Sequence, residues 1–201
     1  MDLGRLATRT PRRVRNAERE AAVLVPVVER PARSDASTGS DPYLLFTKRA
    51  DHLGEHPGQM SFPGGGREPE DDDLTETALR EANEEVGLDP GEASVLGALD
   101  GIKTVTEYAI TPVVARIPDR EYVPDEREVA EIAVLPVSGL VDPGNYEYEH
   151  REHPTYGEIV VHYFHVDGYT VWGATGRMVV QLLELTTDWR APERLDPEAY
   201  G

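Results

Sequence analysis

The chain has 201 residues, 39% of them hydrophobic, no cysteine and a net charge of -18 at pH 7. That length suits one domain with a substantial though lean core. The missing cysteines exclude disulfides, thiolate metal sites and a thiol nucleophile, while an anionic field of this size repels nucleic acid and anionic membrane surfaces.

In chain order, residues 1–20 carry arginines at 5, 9, 12, 13, 15 and 19 with few apolar positions. They read as a tail or a short surface helix, the tail being the plainer reading, ahead of a domain spanning 21–190 and a closing tail at 191–201. No apolar run approaches the roughly 18 residues of a spanning helix, and the N-terminus lacks the basic-then-apolar order of a secretory signal, so the sequence reads as cytoplasmic. Lysine occurs only at Lys48 and Lys103, and acids are spread along the whole chain. That pattern is expected of a protein adapted to concentrated salt, where a Debye length of about 3 Å at molar ionic strength screens self-repulsion.

Ala21 to Val28 is a short β-branched run suited to a buried strand, with Pro26 implying an edge or a bulge. Ser34 to Pro42 is turn chemistry, and Tyr43 to Arg49 returns as a strand, so the first two strands form a hairpin. A loop from Asp51 to Asp73 holds His56-Pro57-Gly58 and Pro63-Gly64-Gly65-Gly66. Asp73 with Glu76 makes a capping box for a helix running to Val86, and Gly87 is a left-handed stop. Strands follow at Ser94–Leu99, Glu107–Arg116, Val129–Leu135 and Glu158–Val166, with a short helix over Leu135–Val141. Ala174 to Thr186 places Met178, Val179, Leu182, Leu183 and Leu185 at helical spacing. Two helices flanking a mixed sheet predict an α+β or α/β sandwich.

The helix before Gly87 carries the chemistry. Glu81, Glu84 and Glu85 fall within one stripe, opposite Leu79, Ala82 and Val86. Like charges at these spacings cost a few tenths of a kcal/mol each, and the last turn of a helix disfavours anions. A hard divalent cation, Mg2+ or Mn2+, would offset that cost and leave open positions for substrate phosphates. The plain alternative is a solvated face in an acid-rich protein. Arg80 is placed to pair with one of these acids and fix its rotamer. Gly64, Gly65 and Gly66 allow close backbone approach to a ligand, although a plain turn explains them too. Asp71 and Asp72 read as caps or water-bridged outer ligands. Arg49, Arg67 and Lys103 are candidate phosphate contacts, and Glu147, Glu149, Glu152 and Glu158 surround a loop able to bring another carboxylate to the metal.

The run Arg80-Glu81-Ala82-Asn83-Glu84-Glu85-Val86-Gly87-Leu88, with a glycine and an acid upstream, resembles the Nudix box. The upstream pair is either Gly65 with Asp71 or Gly66 with Asp72. The flanks, Leu44 to Arg49, Leu53, His56, Gly58, Phe62 to Gly65, Ile110 to Val114 and Trp172 to Thr175, are similar to the coenzyme A diphosphatase branch, and the likeness spans roughly 21 to 187. One departure is Thr106-Glu107-Tyr108, where the branch shows Ser-Gly-aromatic. The resemblance implies an α/β/α Nudix sandwich, metal held by Glu84 and Glu85, and Glu81 either holding it too or taking a proton from water. It raises His56 to a substrate-site candidate and implies a small nucleotide substrate and a homodimer. Coenzyme A would give 4'-phosphopantetheine and 3',5'-ADP. ADP-ribose, nucleotide sugars and dinucleoside polyphosphates are same-class rivals, and a non-catalytic nucleotide-binding module is the rival from another class.

Overall fold

The computed structural model of the chain describes residues 1–14, 17–31, 40–50, 58–104, 108–153 and 157–192. Among these, β1 (Arg19–Pro31), β2 (Ser40–Arg49), β3 (Met60–Ser61), β4 (Gly64–Gly66), β5 (Ser94–Ala98), β6 (Ile102–Lys103), β7 (Tyr108–Ile117) and β8 (Val129–Pro136) form one mixed sheet. A smaller antiparallel sheet contains β9 (Tyr146–His153), β10 (Gly157–Val166) and β11 (Tyr169–Trp172). The helices are α1 (Gly4–Ala7), α2 (Leu74–Val86), α3 (Val137–Leu140) and α4 (Gly173–Thr186).

The centre of the large sheet is β1, antiparallel to β2 and β4 on one side and parallel to β7 on the other. Its side chains serve both faces, as a doubly covered strand requires. Ala22, Leu24 and Val28 join Leu45, Val113 and the α2 residues Ala78, Ala82 and Val86 in one core. Val25 and Val27 join Leu44, Phe46, Phe164 and Val171 with Met178, Leu182 and Leu183 of α4 in the other. The layers are therefore α2, the large sheet, and then α4 together with the small sheet.

The proline in β1 does not mark an edge. Alternation puts the Pro26 nitrogen on the same side as the Leu24 N–H, which donates to the Pro63 carbonyl at 2.8 Å. On that side β4 pairs only as far as Val23 and β2 begins at Val27, so the missing N–H falls in the gap between partners. The second strand starts at Ser40, earlier than its apolar run, because Asp41 and Pro42 pair with Arg30 and Glu29.

Of the two readings of the N-terminal arm, the structure carries the short helix. Leu6 is 1% exposed against the α4-side core, and Asp100 accepts from Arg9 at 2.5 Å and from Arg12 at 3.2 Å. The glutamates at 147, 149, 152 and 158 lie on the paired strands β9 and β10, on either side of the connection between them. There Glu158 contacts His150 at 2.5 Å, Glu147 lies 3.5 Å from His165, and Glu149 pairs with Arg151 and Tyr163. The side chains of Glu147, Glu149 and Glu158 are thus engaged on the small sheet.

Candidate active site

The glycine-rich segment and the acid-bearing helix lie side by side. Phe62, buried and stacked on Phe46 with ring centroids 4.7 Å apart, anchors the chain just before β4. β4 then runs so close to β1 that a Cβ on Gly64 would lie 2.4 Å from the Ala22 carbonyl oxygen. A Cβ on Gly65 would lie 2.6 Å from the Glu81 carboxylate. Glycine is required at both positions by close approach. In return the backbone meets the helix acids directly, and the Gly64 N–H donates to the Glu85 carboxylate.

Helix α2 begins at Asp73, whose carboxylate accepts from the N–H groups of Thr75 and Glu76 at 2.8 and 2.9 Å. The return bond of the capping box is shifted by one residue, because Glu76 accepts from the N–H of Asp72 at 2.6 Å. The helix ends at Gly87 with φ of 67°, the left-handed stop expected there. Arg120 crosses to this end and donates to the Gly87 carbonyl at 2.9 Å.

Arg80 is the hub of the arrangement. Its guanidinium grips Asp71 with two bonds of 3.0 and 3.1 Å, donates to the Gly66 carbonyl at 3.0 Å and to Glu81 at 3.0 Å, and reaches Glu84 at 3.4 Å. Asp71 also accepts from the Thr77 hydroxyl at 2.8 Å and the Glu68 N–H at 2.9 Å, with its side chain 3% exposed. The Arg80 hydrogen bonds are the main reason its carboxyl is held well below the usual carboxylate range. Asp71 is thus neither a helix cap nor an outer ligand but the buried anchor of Arg80. Both upstream glycines meet the helix, Gly65 at Glu81 and Gly66 through Arg80, whereas of the two acid side chains it is Asp71 that Arg80 and Thr77 hold and Asp72 that is exposed.

Burial first, and then the charges of Glu81 and Glu128, push the Glu85 carboxyl up to about 8, against the Gly64 N–H and the nearby Arg49 charge. Glu81 is also pushed up, chiefly by burial, while Arg80 opposes the shift. Glu84 stands apart on the solvent side with its side chain 59% exposed. Among the described residues no three His, Asp or Glu side chains gather closely enough to enclose an ion. The donor chemistry nevertheless fits a hard divalent cation: carboxylates that repel one another on a half-buried shelf, beside a glycine backbone. Glu128 belongs to this setting, brought there by the Asp125 N–H bonding the Glu85 carbonyl and the Ala50 N–H bonding the Glu128 carbonyl, each at 2.9 Å. Its place in the acid-rich run Asp125-Glu126-Arg127-Glu128 gives no sequence signal, since only tertiary folding carries that turn to α2.

The other predicted contacts are distributed unevenly. Arg49 ends β2 close enough to Glu85 to act on its ionisation. Arg67 is engaged, donating to Glu20 at 2.9 Å and to the carbonyls of Asp71 and Asp72 at 3.3 and 3.1 Å. Lys103 lies on β6 opposite Ala109. His56 lies outside the described residues.

The helix end that bears these carboxylates packs against a glycine strand. The comparisons give the family: residues 19–167 match the NUDIX domain, and the chain belongs to the Nudix family. It is 37% identical over 170 residues to the Uncharacterized Nudix hydrolase NudL of Enterobacter sp. (strain 638), covering 82% of this chain and 81% of that protein. The relative named likewise from Cronobacter sakazakii (strain ATCC BAA-894) is 40% identical over 171 residues, with the same coverage of 82% and 81%. Among solved structures, the M. Smegmatis Nudix hydrolase RenU matches with a TM-score of 0.49 at 21% identity, over 63% of this chain and 78% of that one. The protein is a Nudix hydrolase acting on phosphorus-containing acid anhydrides. Enzymes of this family act on small nucleotide substrates and generally use divalent ions such as Mg2+ or Mn2+. No helix among the described residues is long and apolar enough to cross a membrane.

Proposed function

We propose that this enzyme hydrolyses the diphosphate of coenzyme A, giving 4'-phosphopantetheine and 3',5'-ADP, in a protein adapted to concentrated salt. The observation that carries the hydrolytic part is the half-buried carboxylate shelf, where Glu81 and Glu85 repel each other beside the Gly64 N–H. The coenzyme A part draws on the flanking motifs from Leu44 to Gly65 and from Trp172 to Thr175.

Glu81, Glu84 and Glu85 would hold Mg2+ or Mn2+, with Glu128 as a further carboxylate at the same shelf. A divalent ion bound there supplies positive charge to the diphosphate oxygens as the anhydride breaks. Glu81 either completes the set of metal ligands or takes the proton from the water whose oxygen attacks phosphorus. The phosphorus–oxygen bond on the far side breaks, and the leaving phosphate departs with the bonding pair. Arg80, fixed by Asp71, holds Glu81 in one rotamer. Arg49, whose charge acts on Glu85, would favour the anionic substrate.

The test is to incubate the purified protein with coenzyme A, ADP-ribose, nucleotide sugars and dinucleoside polyphosphates, with Mg2+, at several molar concentrations of KCl, and identify products by mass. Coenzyme A is expected to be cleaved fastest, with activity retained at molar KCl. Faster cleavage of another member of the panel would overturn the substrate, and tight nucleotide binding with no cleavage at any metal concentration would overturn the chemistry.

A further inference from the structure

Next to the carboxylate shelf, where β4 ends, lies an open cleft of about 490 Å3. It is lined by Gly66, Arg67 and Glu68 after β4, and by Glu18, Arg19, Glu20 and Tyr108 around the starts of β1 and β7. Parallel pairing sets Arg19 beside Tyr108. The Arg19 guanidinium lies over the Tyr108 ring, 5.5 Å from its centroid, and donates to the phenol oxygen at 3.4 Å. Gly66 joins cleft to site, because its carbonyl is held by Arg80 at 3.0 Å.

We infer that this cleft receives the nucleoside half of the substrate, an amino-bearing purine with its ribose, and that Tyr108 is the ring on which the base stacks. The inference rests on the diphosphatase reading and adds which half of the substrate lies on this side. The volume falls in the range of about 300–1,000 Å3 typical of small-ligand sites. Aromatic faces and guanidinium planes are the surfaces on which bases stack, and Arg19 with Tyr108 supplies both. The charge balance disfavours a phosphate as occupant, since with Arg67 and Glu20 paired the lining leaves Glu18 and Glu68 against Arg19. Carboxylates accept hydrogen bonds, so they suit an exocyclic amine and ribose hydroxyls. Tyr108 also closes the run in which the sequence departs from its branch pattern.

The experiment has two arms. In the first, the metal-free full-length protein is titrated with adenosine and with uridine, uncharged probes that need no carboxylate shelf, while tyrosine ring resonances are followed by NMR. Adenosine is expected to shift the Tyr108 signals and to bind more tightly than uridine, and Tyr108→Ala to weaken it by about tenfold or more while Tyr108→Phe changes it little. In the second arm, Tyr108→Ala is expected to raise KM for an adenine-bearing diphosphate about tenfold with kcat within about twofold, and to narrow the preference over a uracil-bearing one. Tyr108→Leu replaces the alanine variant if circular dichroism shows unfolding. Turnover by the wild type with KM unmoved in the alanine or leucine variant, or adenosine shifts confined to other residues, overturns the cleft assignment alone. Absence of any diphosphate cleavage overturns the hydrolytic reading, and the adenosine titration still decides the cleft.

Discussion

The two long helices lie on opposite faces of the same sheet and are held there by different means. Helix α4 buries Met178, Val179, Val180, Leu182 and Leu183, and its N-cap residue Trp172 makes no capping bond. Helix α2 buries only Thr77, Ala78, Ala82 and Val86, and polar staples fix it instead: Asp73 at the start, Arg80 to Asp71 along its flank, and Arg120 at the end. Apolar area stabilises the first, with roughly 1.5–3 kcal/mol for each large side chain fully buried. The second is a charged helix that must present carboxylates at fixed positions, and small residues let it lie close to β4. The candidate site and the larger apolar helix packing therefore lie on separate faces of one sheet.

Substitutions on the α2 face should break function and spare the fold. Glu84→Gln and Glu85→Gln are each expected to lower kcat by more than about a hundredfold, the upper end for losing a group that merely orients a ligand, with thermal unfolding little changed. Near-wild-type rates for both, with Mg2+ present, would remove the carboxylate shelf from the mechanism. On the other face Leu182→Ala should do the reverse, costing roughly 2–5 kcal/mol of stability through the cavity it leaves. Its kcat/KM per folded molecule should stay near wild type. A large loss of activity in the folded variant would mean that the two faces are coupled.

Asp71 is where the two kinds of holding meet. Asp71→Asn leaves Arg80 half-buried without its main partner, which should cost on the order of 3 kcal/mol of stability. Loss of Arg80 orientation at Glu81 should also lower activity by about tenfold to a hundredfold. Urea unfolding and steady-state kinetics on the same variant measure both; a change in only one would show that Arg80 serves a single master.

What could be read ahead of the structure divides along similar lines. The α2 boundaries were legible because Asp73, Glu76 and Gly87 are local signals acting over a few residues, and α4 because its apolar positions repeat at helical spacing. Strand β9, reading Tyr-Glu-Tyr-Glu-His-Arg-Glu-His, was not legible, since its alternation is between polar types and its strand character comes from pairing with β10. The five arginines ahead of β1 suggested solvent, yet Arg9 and Arg12 find their partner in Asp100 far along the chain. The glutamate spacing signalled the shelf, but Glu81 and Glu85 turn inward while Glu84 does not, because Gly64 and Gly65 open room on one side only. Asp71 looked like one more acid among Glu68, Glu70, Asp72 and Asp73 until Thr77 and Arg80 closed over it.

The smallest expected effect tests the α4 face through protons. His162 on β10 is 9% exposed and shares a 2.8 Å hydrogen bond with the Tyr146 hydroxyl. Burial, helped by the Arg177 charge, lowers its pKa to about 4 from an ordinary value of 6.5. Between those values the unfolded chain binds a proton that the folded one refuses, so stability falls as pH drops from 6.5 toward 4 and is fully present above 6.5. At pH 5 the loss attributable to this group is roughly 2 kcal/mol. The many carboxylates titrate in the same range, so the informative quantity is the stability difference between wild type and His162→Gln, followed by denaturant unfolding from pH 7.5 to 4.5. That difference should move by about the stated amount in favour of the variant as the pH falls. A difference independent of pH would mean that His162 accepts its proton in the folded protein and that the α4 face is wetter than its packing indicates.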